Sequence, residues 1–191
     1  DSAYNKKHKR FINQILQIGA IKLNKKFEII DRFEVTVKSK FTKKVSGRFA
    51  NLTGITTEDM LAGVTLEEAV ALYNNWAGTN TVTMTWSNSD LYVLLENFRL
   101  RKGISTIPII SKYIDLQKYT QNEMRLKGSD ITSQISVSNA AVSLGISIDG
   151  LELHRALDDS LLCAEILRKV YCKKRLLEYM IDTTDPDYYK R

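Results

Sequence analysis

The chain has 191 residues, of which 43% are hydrophobic, and this length and composition suit one globular domain with a sizeable buried core. Its formal net charge of +6 favours an acidic partner such as nucleic acid. The sequence has two cysteines, no signal-peptide core and no apolar run of about 18 residues, so we expect a cytoplasmic protein that does not enter a membrane.

The first predicted element is a hairpin of two strands. Residues 14–23 are dominated by Ile and Leu and predict a buried strand, and residues 27–37 alternate enough to be its antiparallel partner. Residues 24–26 would form the turn. A basic connection that contains one glycine follows, and a short helix is expected to begin near Thr57.

The rest of the chain predicts strands and helices in alternation and then helices alone. Thr65 and Glu68 form a capping box, which predicts a helix over residues 66–76. Strands are expected at 81–86 and around 110–116, and helices at 91–101, 133–144 and 158–178. This order predicts an α/β fold with a mixed sheet of about five strands, the first ones antiparallel, flanked by helices.

Two acidic segments could carry chemistry. His154 precedes Asp159 by five residues at the start of the last helix. The simpler interpretation is a loop histidine followed by carboxylates that stabilise the helix N-terminus, and the functional one is a general base beside a metal-binding aspartate. Asp90 follows a predicted strand, and the strand ends of open α/β sheets are where sites form.

A third segment opens the chain. Residues 1 and 3 of a strand project to the same face, so an Asp-x-Glu sequence would place two carboxylates side by side for a hard divalent cation. Here Asp1 is followed two residues later by Ala3. The segment therefore has the pattern of a metal-binding motif with one ligand absent.

These segments together resemble the DEDDh 3′-to-5′ exonucleases, the group of RNase T and the DNA polymerase proofreading subunits, with a ribonuclease H-like fold. The resemblance rests on four stretches in the same order and spacing: QILQIGAIKL, NLTGITTEDM, TMTWSNSD and LGISIDGLELHRALDDSLLCAEIL. It covers nearly the whole chain and implies an exonuclease domain over residues 1–180, with most of the first core strand upstream of residue 1 and a tail or linker at 181–191.

The resemblance also implies the roles of site residues. Asp1, Asp90 and Asp159 would bind two divalent cations, Mg²⁺ or Mn²⁺, and His154 would be the general base, a task for which histidine is suited near neutral pH. The family's remaining metal-binding glutamate falls at Ala3. We therefore expect weak metal binding and a severe loss of turnover. Because the other four residues are retained, an introduced Glu-to-Ala change is favoured over a natural pseudo-nuclease.

Further residues are expected to contact substrate. In relatives the segment of Thr53, Gly54 and Ile55 lies beside the terminal nucleotide, although Ile55 could equally belong to the core. Tyr4 follows the acidic motif and could likewise either contact substrate or pack within the protein. Basic residues cluster at 6–10 and 38–48, as solvated surface or as a guide for a nucleic acid backbone.

Three functions follow from this sequence. The first is a metal-dependent 3′-to-5′ exonuclease that acts on the 3′ end of single-stranded DNA or RNA and is inactivated by Ala3. The second is a nucleic-acid-binding module without catalysis. The third is a hydrolase of short oligonucleotides or nucleotide second messengers. A further domain or a homo-oligomer is compatible with each of them.

Overall fold

The chain begins with two antiparallel hairpins. The structure, a computed structural model, describes residues 1–5, 9–102 and 110–183. Strand β1 (Ser2–Asn5) pairs with β2 (Arg10–Asn13), a hairpin that sequence did not predict, and residues 6–8 of the predicted basic run lie outside the described residues. Strands β3 (Gln17–Leu23) and β4 (Ile29–Thr36) confirm the predicted hairpin, although β3 begins three residues later than expected.

Three helices follow the second hairpin: α1 (Gly47–Thr53), α2 (Thr57–Ala62) and α3 (Leu66–Ala77). The capping box of α3 is formed as predicted, since the Thr65 hydroxyl accepts from the Glu68 backbone N–H and the Glu68 carboxylate accepts from that of Thr65. Sequence left α1 as part of a connection. Its N-cap is Ser46, whose hydroxyl accepts from the backbone N–H of Phe49, and its C-cap is Gly54.

The next elements alternate between strand and helix. They are β5 (Thr83–Thr85), α4 (Ser89–Lys102), β6 (Lys112–Asp115), α5 (Leu116–Leu126) and α6 (Val137–Ser143). Strand β5 is parallel to β6. Helix α5 was not predicted, because most of the positions it buries are polar: Gln117, Thr120, Gln121 and Glu123.

The helix predicted over residues 158–178 is two helices, α7 (Ala156–Val170) and α8 (Lys173–Glu178). The break has a tertiary cause. The Tyr119 hydroxyl donates to the carbonyl of Val170 at 2.9 Å and accepts from the backbone N–H of Cys172 at 2.8 Å, so these groups do not continue the helical ladder. The first residues of the predicted tail form β7 (Ile181–Asp182), antiparallel to β6, and residues 184–191 lie outside the described residues.

The predicted α/β class is confirmed, but the sheet is smaller than the five strands expected. Within the described ranges the largest sheet has three strands, β5, β6 and β7, and β3 pairs only with β4. One core cluster joins β4, α3, α4 and β6, and a second joins β6, α5, α6 and α7. Among the described helices, none combines the length and the apolar character needed to cross a bilayer.

Candidate active site

The turn after β5 sets the position of Asp90. Ser87 adopts a left-handed backbone conformation with φ of 88°, which is uncommon for a residue with a side chain. Its carbonyl accepts hydrogen bonds from the hydroxyls of Thr85 and Tyr113, the latter at 3.0 Å. These bonds hold the turn that starts α4, and Asp90 lies in the first turn of that helix.

The turn before α7 is held by the aspartates that follow it. His154 has φ of 72°, and its backbone N–H donates to Asp159 Oδ1 at 3.3 Å. The backbone N–H of Glu152 donates to Asp158 Oδ2 at the same distance. Both carboxylates therefore hold the backbone of the turn that precedes α7, while the side chain of His154 is exposed.

Helix α7 approaches β3 so closely that only glycine fits at position 19. A Cβ on Gly19 would lie 2.6 Å from backbone atoms of Ala156 and Leu157. The Ser160 hydroxyl donates to the Gly19 carbonyl at 3.1 Å, and the Gln17 side chain accepts from the Ala156 backbone N–H at 3.4 Å. The sheet thus fixes the first turn of α7, and Asp159 with it.

Asp90 and Asp159 are electrostatic neighbours. Although Asp90 is exposed by surface area, the protein atoms crowded around its carboxylate remove hydration and raise its pKa to about 6, and the negative charge of Asp159 adds to the shift. Desolvation likewise raises the pKa of Asp159, against the lowering effect of the His154 N–H. Burial, followed by the charges of both aspartates, raises the pKa of the Cys163 thiol to about 12.

These pKa shifts have a common cause: negative charge is concentrated around the carboxylates in the first turns of α4 and α7. Two carboxylates that oppose each other's ionisation are stabilised by a cation between them, and carboxylate oxygen is the ligand that hard divalent cations prefer. The donor set therefore fits a divalent metal ion. The described parts of the chain nevertheless contain no cluster of three or more His, Cys, Asp or Glu side chains able to hold one, so the full ligand set stays a prediction.

The structure does not bring Asp1 to this pair. The Asp1 carboxylate accepts from the Ser46 backbone N–H at 3.1 Å, from the Ser46 hydroxyl at 3.0 Å and from the Ser2 N–H at 2.8 Å. Ala3 lies opposite Ile12 in the first hairpin. Tyr4 is exposed and packs edge-to-face on Phe11, with ring centroids 5.4 Å apart. The roles assigned to these residues stay predictions.

A polar recess lies next to the His154 turn. It has a volume of about 170 Å³ and is lined by Gln17, Glu34, Thr36, Thr53, Gly54, Ile55, Asp59 and Arg155. The predicted substrate segment 53–55 thus borders the α7 turn. Ile55 is also buried against Leu16 and Met60, so it belongs both to the core and to the recess wall.

Sequence reasoning missed Arg155. Its guanidinium lies against Gly54, where a Cβ would be 3.1 Å from it, and its Nε pairs with Glu152 at 2.6 Å. Gly54 has φ of 75°, a conformation that glycine adopts without strain. The position of Arg155 directly after His154 was the available signal, but its contact with a segment a hundred residues earlier could not be read from the sequence.

Comparison with solved structures identifies the fold. The nuclease domain of 3′hExo, a DEDDh family member, bound to rAMP, matches with a TM-score of 0.72 and 23% identity, over 87% of this chain and 85% of that chain. A full-length 3′-exonuclease matches with a TM-score of 0.70 and 23% identity, over 87% and 76% of the two chains. Together with the paired carboxylates, this likeness defines a ribonuclease H-like domain of the kind found in nucleases.

The family follows from the sequence. The chain belongs to the RNase T exonuclease family, whose model matches residues 10–167, and the DEDDh 3′-to-5′ exonuclease resemblance is thereby confirmed. This family generally uses divalent metal ions. Cell-death related nuclease 4 is also similar, with a TM-score of 0.69 and 20% identity over 81% of this chain; the match spans 55% of that protein, little more than half. The curated proteins yielded no significant match.

Proposed function

We propose that this domain is a metal-dependent 3′-to-5′ exonuclease that releases nucleotides from single-stranded ends. The observation that carries the proposal is the pair formed by Asp90 and Asp159. They come from different helices, desolvation raises the pKa of both, and the charge of Asp159 further opposes ionisation of Asp90, with the exposed His154 close by in the turn before Asp159. In a chain of the exonuclease family, such a pair is suited to hold the divalent ions on which phosphodiester hydrolysis depends.

Asp90 and Asp159 would hold the cations. The family resemblance adds Asp1 as a further ligand, although its carboxylate here accepts hydrogen bonds from Ser46 and does not lie with the pair. When bound there, two ions such as Mg²⁺ or Mn²⁺ would supply neutralisation of the scissile phosphate, a lowered pKa of a water molecule and stabilisation of the leaving oxygen. The proposal accounts for the raised pKa of Asp90. Without a cation the ionised carboxylate is disfavoured, and a bound cation would stabilise it.

His154 would accept the proton of the attacking water. Its backbone is held by the hydrogen bond to Asp159, and its side chain is exposed, directly before Arg155 of the recess wall. A general base must reach its proton at hydrogen-bond distance, so a turn held at this position suits the task. A left-handed φ such as that of His154 persists only where surrounding contacts support it, and the hydrogen bond to Asp159 is such a contact.

Ala3 would limit activity in this chain. The resemblance places a metal-binding glutamate there, and alanine offers no ligand oxygen. Restoring the carboxylate with Ala3→Glu is expected to increase Mn²⁺ affinity in calorimetry and to restore turnover. The matched control is Ala3→Gln, which has nearly the same size as Glu but no charge.

The substrate is proposed to be single-stranded RNA or DNA. Among the similar structures, 3′hExo is described as bound to rAMP, and another as 3′-end specific recognition of histone mRNA stem-loop by 3′-exonuclease, with a TM-score of 0.70 and 23% identity. The experiment compares product release by the Ala3→Glu variant from single-stranded RNA, single-stranded DNA and dinucleotides. Binding without cleavage of any of them would identify a non-catalytic module instead, and cleavage of dinucleotides alone would identify a hydrolase of short nucleotides.

A further inference from the structure

Five basic side chains are exposed in one stretch that runs from the end of β4 into the first turn of α1. We call residues 38–48 the basic segment; its cations are Lys38, Lys40, Lys43, Lys44 and Arg48. Within the ranges that the structure describes, none of these five side chains makes an ion pair or a hydrogen bond. Unpaired cations this close together repel one another, so the segment carries a concentration of charge that its own fold does not neutralise.

The backbone of the basic segment is nevertheless anchored. Val45 is buried in an apolar cluster with Leu16, Ile55 and Met60. The Ser39 hydroxyl donates to the buried Gln14 side chain and accepts from the backbone N–H groups of residues 41 and 42, each at 3.0 Å. The charged side chains therefore extend from a fixed support, which lowers the entropic cost of binding a ligand.

The basic segment and α1 together form a connection whose two ends adjoin the candidate active site. Thr36, at the end of β4, lines the polar recess, and so do Thr53 and Gly54, where α1 ends. The chain thus leaves the recess, passes through the basic segment and α1, and returns to the recess. Asp1 contacts this stretch at Ser46, whose backbone N–H and hydroxyl both donate to its carboxylate.

We propose that the basic segment binds the phosphate backbone of single-stranded nucleic acid on the 5′ side of the nucleotide held at the recess. The proposal rests on the proposed function, which places a 3′ end near His154 and Asp159. A single strand fits this surface because its phosphate charges repeat along a flexible chain. The recess has a volume of only about 170 Å³, so the rest of the strand would lie outside it.

The test measures binding rather than turnover. The triple variant Lys40→Gln, Lys43→Gln and Lys44→Gln is compared with the unmodified chain by fluorescence anisotropy, using a labelled single strand of about 20 nucleotides and a dinucleotide, from about 50 to 200 mM salt. Two controls are matched to it. One replaces the same three lysines with arginine, and the other is Lys173→Gln with Lys174→Gln on the exposed face of α8.

We expect the glutamine triple variant to bind the long strand about ten-fold or more weakly, with a salt slope reduced by about 0.7 for each phosphate that the variant no longer neutralises. Dinucleotide binding should stay unchanged, and both controls should bind like the unmodified chain. Equal melting temperatures of all variants would show that the weaker binding arises from charge and not from unfolding.

Three results would overturn the proposal: an unchanged affinity and salt slope in the triple variant, an equally weakened affinity in the α8 control, or binding of phosphatidylserine vesicles without binding of the oligonucleotide. The proposed function is tested separately by nucleotide release from the Ala3→Glu variant. If that variant releases nothing while the triple variant still fails to bind the long strand, the activity is refuted and the binding surface stands.

Discussion

Replacing Gly19 with alanine tests how the sheet positions the candidate active site. The added Cβ would meet the backbone of Ala156 and Leu157 at 2.6 Å, and ordinary contact begins at 3.4 Å. Because the opposing atoms are backbone, no side chain can rotate away. The first turn of α7 must therefore move from β3 by about 0.8 Å.

The cost can be estimated from this displacement. Overpacking of a rigid interior contact destabilises a protein by about 1 to 3 kcal/mol, and a clash with backbone belongs at the upper end. For a domain of this size, about 3 kcal/mol lowers the melting temperature by roughly 6 to 12 °C. Because the same turn carries His154 and Asp159, a shift near 1 Å should also lower turnover of the Ala3→Glu variant by about 100-fold.

The assay is thermal unfolding followed by circular dichroism, with nucleotide release measured on the same samples. Gly47→Ala is the matched control, since nothing lies within 4 Å of a Cβ there and the residue begins α1. Alanine at that position should be neutral or stabilise by at most about 1 kcal/mol. Equal melting temperatures for Gly19→Ala and Gly47→Ala would refute the close-contact explanation.

Three further predictions concern single side chains. Because the folded pKa of Asp90 is raised from 3.8 to about 6, its ionisation destabilises the fold as pH rises through this interval. Asp90→Asn should therefore stabilise the metal-free protein by about 1 kcal/mol at pH 7, after discounting for exposure, and give no gain at about pH 3. An equal effect at both pH values would contradict this. Tyr113→Phe removes a donor from the Ser87 carbonyl and should cost about 1 kcal/mol in urea unfolding, while an unchanged midpoint would show that Thr85 alone holds the turn. Arg175→Met leaves the buried Glu123 carboxylate, now paired at 2.5 Å, without its cation and should cost about 3 kcal/mol; a destabilisation no larger than that of the surface change Lys174→Met would refute it.

Local sequence signals predicted the elements whose cause is local. The β3–β4 hairpin turn is closed by Asn24, whose side chain accepts from the backbone N–H groups of Lys26 and Glu28. Helix α3 starts at a capping box whose two residues, Thr65 and Glu68, lie within four positions of each other in the sequence. In both cases the groups that decide the structure are neighbours in the chain, so pattern and propensity were sufficient.

Elements with distant causes were missed. The buried polar face of α5 is satisfied by partners far along the chain: Gln117 donates to the Ile135 carbonyl at 2.8 Å, and Glu123 pairs with Arg175. The break between α7 and α8 likewise depends on the Tyr119 hydroxyl. Such contacts leave no trace in the spacing of apolar residues. One continuous helix was therefore predicted where the structure has α7 and α8.

The candidate site divides in the same way. The resemblance indicated Asp90, His154 and Asp159, and the structure places Asp90 and His154 as electrostatic or hydrogen-bonded neighbours of Asp159. The recess beside them depends on the packing of α7 on Gly19 and on the contact of Arg155 with Gly54. Such contacts between distant segments are set by the tertiary fold and are invisible to motif spacing.

The most direct test of the proposed activity is the product pattern from a single strand labelled at its 5′ end. The Ala3→Glu variant with Mg²⁺ should shorten the labelled strand from its 3′ end, one nucleotide at a time, and the unmodified chain should leave it nearly intact. Immediate release of a labelled mononucleotide, discrete internal fragments, or no product from the Ala3→Glu variant would contradict a 3′-to-5′ exonuclease.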